Sequence, residues 1–97
     1  MPFRFRIKFS FHKTFEALSA DKQDLVTKAL EALDEYYKTG KASYGLRVRK
    51  LYESNSGKTY EARISLDLRI VWIQTKDEIV FSLIGNHNDI RRFIKNL

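Results

Sequence analysis

The chain of 97 residues contains no cysteine. That removes a disulfide scaffold, a thiolate zinc site and a cysteine nucleophile from consideration, and it suits a reducing cytoplasm. No apolar run approaches the length of a membrane span, so no membrane partner is expected. The N-terminus alternates apolar and basic residues instead of carrying a continuous apolar stretch, and no secretory signal is read there. Repeats, low-complexity tracts and linkers are also missing, and the length makes residues 1–97 one domain. What the chain does have is material for a core. Hydrophobic residues make up 43%, with seven Phe and five Tyr, well above the composition of a disordered chain.

Acidic residues are concentrated in one segment. Residues 16–35 carry six acids (Glu16, Asp21, Asp24, Glu31, Asp34 and Glu35) against two lysines, Lys22 and Lys28. That segment is therefore −4, and since the whole chain is +6 the remainder carries +10. The surplus falls on the segments that read as strands and on the C-terminal tail. A polarised molecule with one basic face attracts polyanions, nucleic acid above all.

Hydrophobic periodicity divides the chain. Phe3, Phe5, Ile7, Phe9 and Phe11 alternate with Arg4, Arg6, Lys8 and Ser10, the period of a half-buried strand. His12 to Leu18 offers a short helical turn. Ser19 is a good N-cap, followed by a longer helix to about Lys38 with Leu25, Val26, Ala29, Leu30, Leu33 and Tyr36 or Tyr37 on its apolar stripe. Gly40 stops it. Strands are expected at Leu46–Tyr52, Lys58–Ser65, Leu68–Thr75 and Glu78–Ile84, with turns at 55–57, 66–67 and 76–77. Turns this short demand antiparallel pairing. Gly85-Asn86 breaks the last strand, and Asn88 or Asp89 caps a final helix containing Ile90, Phe93, Ile94 and Leu97. The order β-α-α-β-β-β-β-α is α+β, with the helices on one face of the sheet and Arg and Lys on the other.

Two groups of residues carry chemistry. In Tyr60-Glu61-Ala62-Arg63-Ile64-Ser65, alternation puts Glu61, Arg63 and Ser65 on the face opposite Tyr60, Ala62 and Ile64. Arg69 follows just past the hairpin. With Arg47, Arg49 and Lys50 on the preceding strand these guanidiniums form a phosphate cradle, since the planar fork of arginine binds phosphate oxygens bidentately. The alternative is an ordinary solvated strand face with Glu61 paired to a cross-strand cation. Arg91 and Arg92 add positive charge further on. The second group is Ile84-Gly85-Asn86-His87-Asn88-Asp89, where His87 stands at a strand end as a general acid or base, or else bonds locally near the helix start. His12, at a strand-to-helix junction, reads as structural. Tyr52 and Trp72 are able to stack on bases, although packing in the core suits Trp72 better.

Over nearly its whole length the sequence resembles the RelE/ParE toxin superfamily. The resemblance rests on Phe15-Glu16-Ala17-Leu18, Lys28-Ala29-Leu30-Glu31-Ala32-Leu33, Gly45-Leu46-Arg47-Val48 and Lys50-Leu51. Its strongest part is Tyr60-Glu61-Ala62-Arg63-Ile64-Ser65 leading into Leu68-Arg69-Ile70-Val71-Trp72, followed by Ile84-Gly85-Asn86-His87-Asn88-Asp89-Ile90. It implies a RelE-like fold and the toxin of a type II toxin–antitoxin system. RelE-, YoeB- and YafQ-like members cut mRNA in the ribosomal A site without a metal or cofactor, whereas ParE-like members poison DNA gyrase. For a nuclease, the resemblance implies that Arg63 and Arg69 contact the scissile phosphate and that His87 transfers a proton. Glu61 is the candidate base, weakened by its arginine neighbours. Arg47, Arg49, Lys50, Arg91 and Arg92 would hold RNA. The implied partners are mRNA, the ribosome and a cognate antitoxin whose tail wraps the toxin, in a monomer or a toxin–antitoxin hetero-oligomer of the cytoplasm. Two pairs of positions depart from the pattern. Arg91 and Arg92 stand where many members have a C-terminal aromatic, and Glu61 and Arg63 stand where RelE-like members have a lysine pair. A non-catalytic ParE-like toxin or a vestigial antitoxin-binding module is the alternative.

Overall fold

A computed structural model of the chain describes residues 3–41 and 47–97. Gly45 and Leu46, part of one matching segment and of the expected strand start, lie outside them. The element order is β1 (Arg4–Ile7), α1 (Phe9–Ala17), α2 (Ala20–Thr39), β2 (Arg47–Ser54), β3 (Gly57–Arg63), β4 (Arg69–Gln74), β5 (Glu78–Gly85) and α3 (His87–Lys95). This is the α+β order read from the sequence. Ser19 caps α2 by accepting from the Lys22 amide, and Gly40 ends it in the left-handed conformation at φ 79°, where glycine has no Cβ to clash.

The expected strand over residues 3–11 is half strand and half helix. The backbone leaves extended geometry after Lys8, and α1 starts at Phe9. Alternation alone did not reveal this, because Phe11, Phe15 and Leu18 also stand at i, i+4 and i+7, one face of a helix. That face wins. Phe11 is buried, with Phe15 and Leu18 packed beside it, while Phe9 points out at 76% exposure.

The five strands form one sheet in the order β1-β5-β4-β3-β2. β2 through β5 pair antiparallel, as the short turns require. β1 pairs parallel with β5, so the sheet is mixed. Parallel pairing needs a long crossover, and everything between β1 and β5 supplies it. The main core lies between α1, α2 and one sheet face. It contains Phe11, Val26 and Leu33 from the helices and Ala62, Ile70, Trp72, Ile79, Phe81 and Ile84 from the strands. Full burial of each Val, Leu, Ile or Phe side chain among them contributes about 1.5–3 kcal/mol. Trp72 is therefore a core residue. Its indole N–H donates to the Tyr37 hydroxyl at 2.8 Å, and that hydroxyl donates in turn to Gln74 Oε1 at 3.1 Å.

The helices are not all on one face. Val71 is wholly buried although it points away from the main core, and Ile90 of α3 is buried too. Residues of α3 line a groove together with Arg49, Glu61 and Arg69. α3 thus folds onto the outer face, and the basic surface is left as a groove beside it.

Candidate active site

Strand pairing builds the site row by row. Arg47 is the register partner of Arg63, and Arg63 is the partner of Arg69. Three guanidiniums thus stand in one row across β2, β3 and β4. The next row runs Arg49, Glu61, Val71. Alternation keeps both rows on the face turned away from α1 and α2. The loop between β3 and β4 holds the register. Ile64 and Ser65 both donate their amides to the Leu68 carbonyl, at 2.8 and 3.1 Å, and the buried Leu68 side chain anchors the turn. Arg63 Nε reaches the Ser65 carbonyl at 3.4 Å. Like charges directly opposite each other repel. Glu61 offsets part of that repulsion, with Oε2 3.2 Å from Arg49 Nη2 and Oε1 3.5 Å from Arg69 Nη1.

The histidine comes from the other side. Asn86 is the N-cap of α3. Its side chain accepts from the Asp89 amide and its own amide donates to Asp89 Oδ2, both at 2.9 Å, a reciprocal capping box. His87 therefore sits on the first turn of the helix, not in a loop before it, and the cap is Asn86 where Asn88 or Asp89 was expected. The capping box places the ring so that Nδ1 lies 3.0 Å from Arg69 Nη1. Arginine can only donate, so Nδ1 accepts and the neutral ring carries its proton on Nε2.

Arg47, Arg49, Glu61, Arg63, Arg69 and His87 line one open groove of about 430 Å³. A wider groove of about 710 Å³ shares Arg49, Glu61, Arg69 and His87 with it and runs along α3. There Asn88, Arg91 and Lys95 form a polar rim over the apolar Leu51 and Ile94. Arg92 also lines this groove, where it pairs with Asp89. Lys50 is not among the lining residues. Being adjacent to Arg49 on a strand, it points the other way and stands opposite Tyr60. It pairs with Glu53 at 2.6 Å, which pushes the lysine pKa up and draws the Glu53 pKa down. The cradle therefore has arginines from β2, β3 and β4 but no lysine from β2. His12 pairs with Glu16 one turn on in α1, away from the groove.

The apolar strip of Leu51, Ile90 and Ile94 and the cap at Asn86 were not anticipated. The cap did have a signal, the pattern Asn86-x-x-Asp89 after a strand. The strip did not, because it joins a strand and a helix far apart in sequence. Among the described residues no group of three or more His, Asp or Glu is placed to hold a metal ion, and no helix is long and apolar enough to cross a membrane.

A mixed five-stranded sheet with a helical hairpin on one face and a short C-terminal helix on the other is the architecture of small toxin proteins of known structure. The chain has the fold of YafQ in the Escherichia coli DinJ–YafQ toxin–antitoxin complex, with a TM-score of 0.71 and 15% identity over 93% of this chain and 98% of the other. It is also similar to the archaeal RelE–RelB complex from Pyrococcus horikoshii, with a TM-score of 0.67 and 19% identity over 89% and 96%. The YoeB dimer from Staphylococcus aureus gives 0.65 and 17% over 90% and 99%. No family model and no curated protein sequence matches the chain.

Proposed function

We propose that the chain is the toxin of a toxin–antitoxin pair and acts as a ribosome-dependent endoribonuclease on mRNA. The observation that carries this reading is the convergence of Arg63, Arg69 and His87 in one open groove on the basic face. The shared fold of the RelE, YoeB and YafQ structures supports it, and the RelE–RelB and DinJ–YafQ complexes support an antitoxin as a further partner.

The chemistry suits these groups. RNA carries its own nucleophile, the 2′-hydroxyl. That oxygen gives its proton to solvent in the open groove and attacks the adjacent phosphorus, negative charge collects on a pentacoordinate phosphorane, and the bond to the 5′-oxygen breaks as that oxygen takes up a proton. Arg63 and Arg69, already oriented by the sheet, stabilise the charge on the phosphorane. Arg47 and Arg49 extend the contact to neighbouring phosphates. Arg91 and Lys95 continue it along α3. His87 passes its Nε2 proton to the leaving oxygen and takes one back from solvent. Since the substrate supplies the nucleophile, the reading requires no cofactor.

The test is mRNA cleavage in a translating extract, comparing wild type with Arg69→Ala and His87→Gln. Each substitution is expected to slow cleavage by about 100- to 1000-fold, the usual cost of one preorganised charge-stabilising group. Equal cutting by all three proteins would overturn the assignment. Inhibition of gyrase supercoiling without RNA cutting would support the non-catalytic ParE-like reading instead.

A further inference from the structure

Among the described residues Glu61 is the one buried carboxylate, and it lies on a basic face. Its side chain is 8% exposed, and its Oε1 is buried without a hydrogen bond. A buried carboxylate needs cationic partners to stay ionised at low cost, and it has two. Arg49, with its side chain 66% exposed, caps Oε2 from the solvent side. Arg69, only 19% exposed, covers Oε1. The Arg69 nitrogen that faces Oε1 is the same Nη1 that meets His87 Nδ1. Both carboxylate oxygens are thus screened from a substrate by guanidiniums, which is a poor arrangement for a base that must touch a 2′-hydroxyl.

We infer that Glu61 is a positioning residue: it holds Arg69 electrostatically so that Nη1 fixes His87 in the Nε2–H form. The inference rests on the nuclease reading for its consequence, but not for its geometry. The attraction from Oε1 uses no N–H of the guanidinium. The five donors of Arg69 therefore remain free for His87 and for a phosphate. The chain Glu61–Arg69–His87 ties the start of α3 through side chains to the paired strands β3 and β4. It would bring a defined imidazole tautomer to the groove before any substrate arrives, and preorganisation of this kind lowers the reorganisation needed during reaction.

The experiment records the imidazole nitrogen resonances of His87 by long-range 15N–1H correlation in the full chain, at a pH where the ring is neutral. Wild type is expected to show a single Nε2–H tautomer. Glu61→Gln keeps the shape and removes the charge, and it is expected to give a mixture. Arg69→Gln, with Glu61 intact, is expected to do the same, because an amide can either donate or accept. The amide spectrum reports folding in the same samples, and Glu61→Asp, which restores the charge, is expected to recover part of the tautomer bias. In cleavage, Glu61→Gln should lose on the order of 10- to 100-fold in kcat, the usual scale for a residue acting through another, and should keep the acidic limb of the pH–rate profile. An unchanged tautomer in folded Glu61→Gln would overturn the inference, as would loss of the acidic limb, which would identify Glu61 as the base. The tautomer is read without turnover. A protein that cuts no RNA but loses the bias in Glu61→Gln would sink the nuclease reading and leave the positioning role standing.

Discussion

At the residue scale the interior depends on one polar chain, Trp72 to Tyr37 to Gln74. Tyr37→Phe keeps the ring but leaves the buried indole N–H without an acceptor. That is expected to cost about 1–3 kcal/mol, measured as a lower urea midpoint at unchanged slope. Burial pushes the Tyr37 hydroxyl from 10.0 up to about 12, against a smaller lowering by the Trp72 hydrogen bond. The sign of the pH effect follows. Between those values the unfolded chain gives up its phenolic proton and the folded chain keeps it, so stability falls as pH rises from about 10 towards 12. Urea titrations across that range should show the fall in wild type and a smaller one in Tyr37→Phe. Most of these residues were legible in the sequence as types. Arg63, Arg69, Glu61 and His87 stand out by alternation and turn placement. Their mutual contacts were not legible, because an Arg–His contact between positions 69 and 87 depends on how β4 and α3 meet in space.

At the element scale the start of α3 decides whether the histidine is in place. Asn86→Ala removes half of the capping box and is expected to cost about 1 kcal/mol in thermal unfolding. It should also lower cleavage beyond that stability loss, because the next residue is His87. Gly85→Ala tests the same joint sterically. A Cβ there would lie 2.7 Å from the Cβ of Asp89 and 2.8 Å from its Oδ2, so the first turn of α3 must shift. Reduced cleavage with the main core intact is the expected result, and wild-type cleavage would show that the joint tolerates movement. The sequence points to Asn88 or Asp89 as the cap, and Asn86 takes that place because β5 runs through Gly85. The N-terminal segment shows the same limit. Phe9 and Phe11 satisfy a strand period and Phe11 and Phe15 a helical one, and the helix prevails because Phe81 lies where Phe11 can pack, at a ring distance of 5.8 Å.

At the scale of the whole molecule, charge is separated between an acidic helical hairpin and a basic sheet face. Three arginines in one row repel one another in the empty groove, so the site is held at some cost to stability. Arg63→Ala is accordingly expected to raise the melting temperature at low ionic strength while weakening RNA binding. Inorganic phosphate should raise the melting temperature of wild type and have less effect on Arg63→Ala, as expected for a ligand bound to the folded state alone. Binding to single-stranded RNA should weaken steeply with salt, and each phosphate contact removed should flatten the log–log slope by about 0.7. A slope unchanged in Arg63→Ala would mean that this guanidinium touches no phosphate.

The order of elements, the antiparallel hairpins, the caps at Ser19 and Gly40 and the basic outer face follow from the sequence alone. Each depends on local periodicity, turn chemistry or charge count, which a linear chain carries within a few residues. The parallel pairing of β1 with β5, the folding of α3 onto the outer face and the Glu61–Arg69–His87 chain were decided only by tertiary structure. These depend on register and on contacts between distant segments, and their geometry exists only once the sheet has closed around its core.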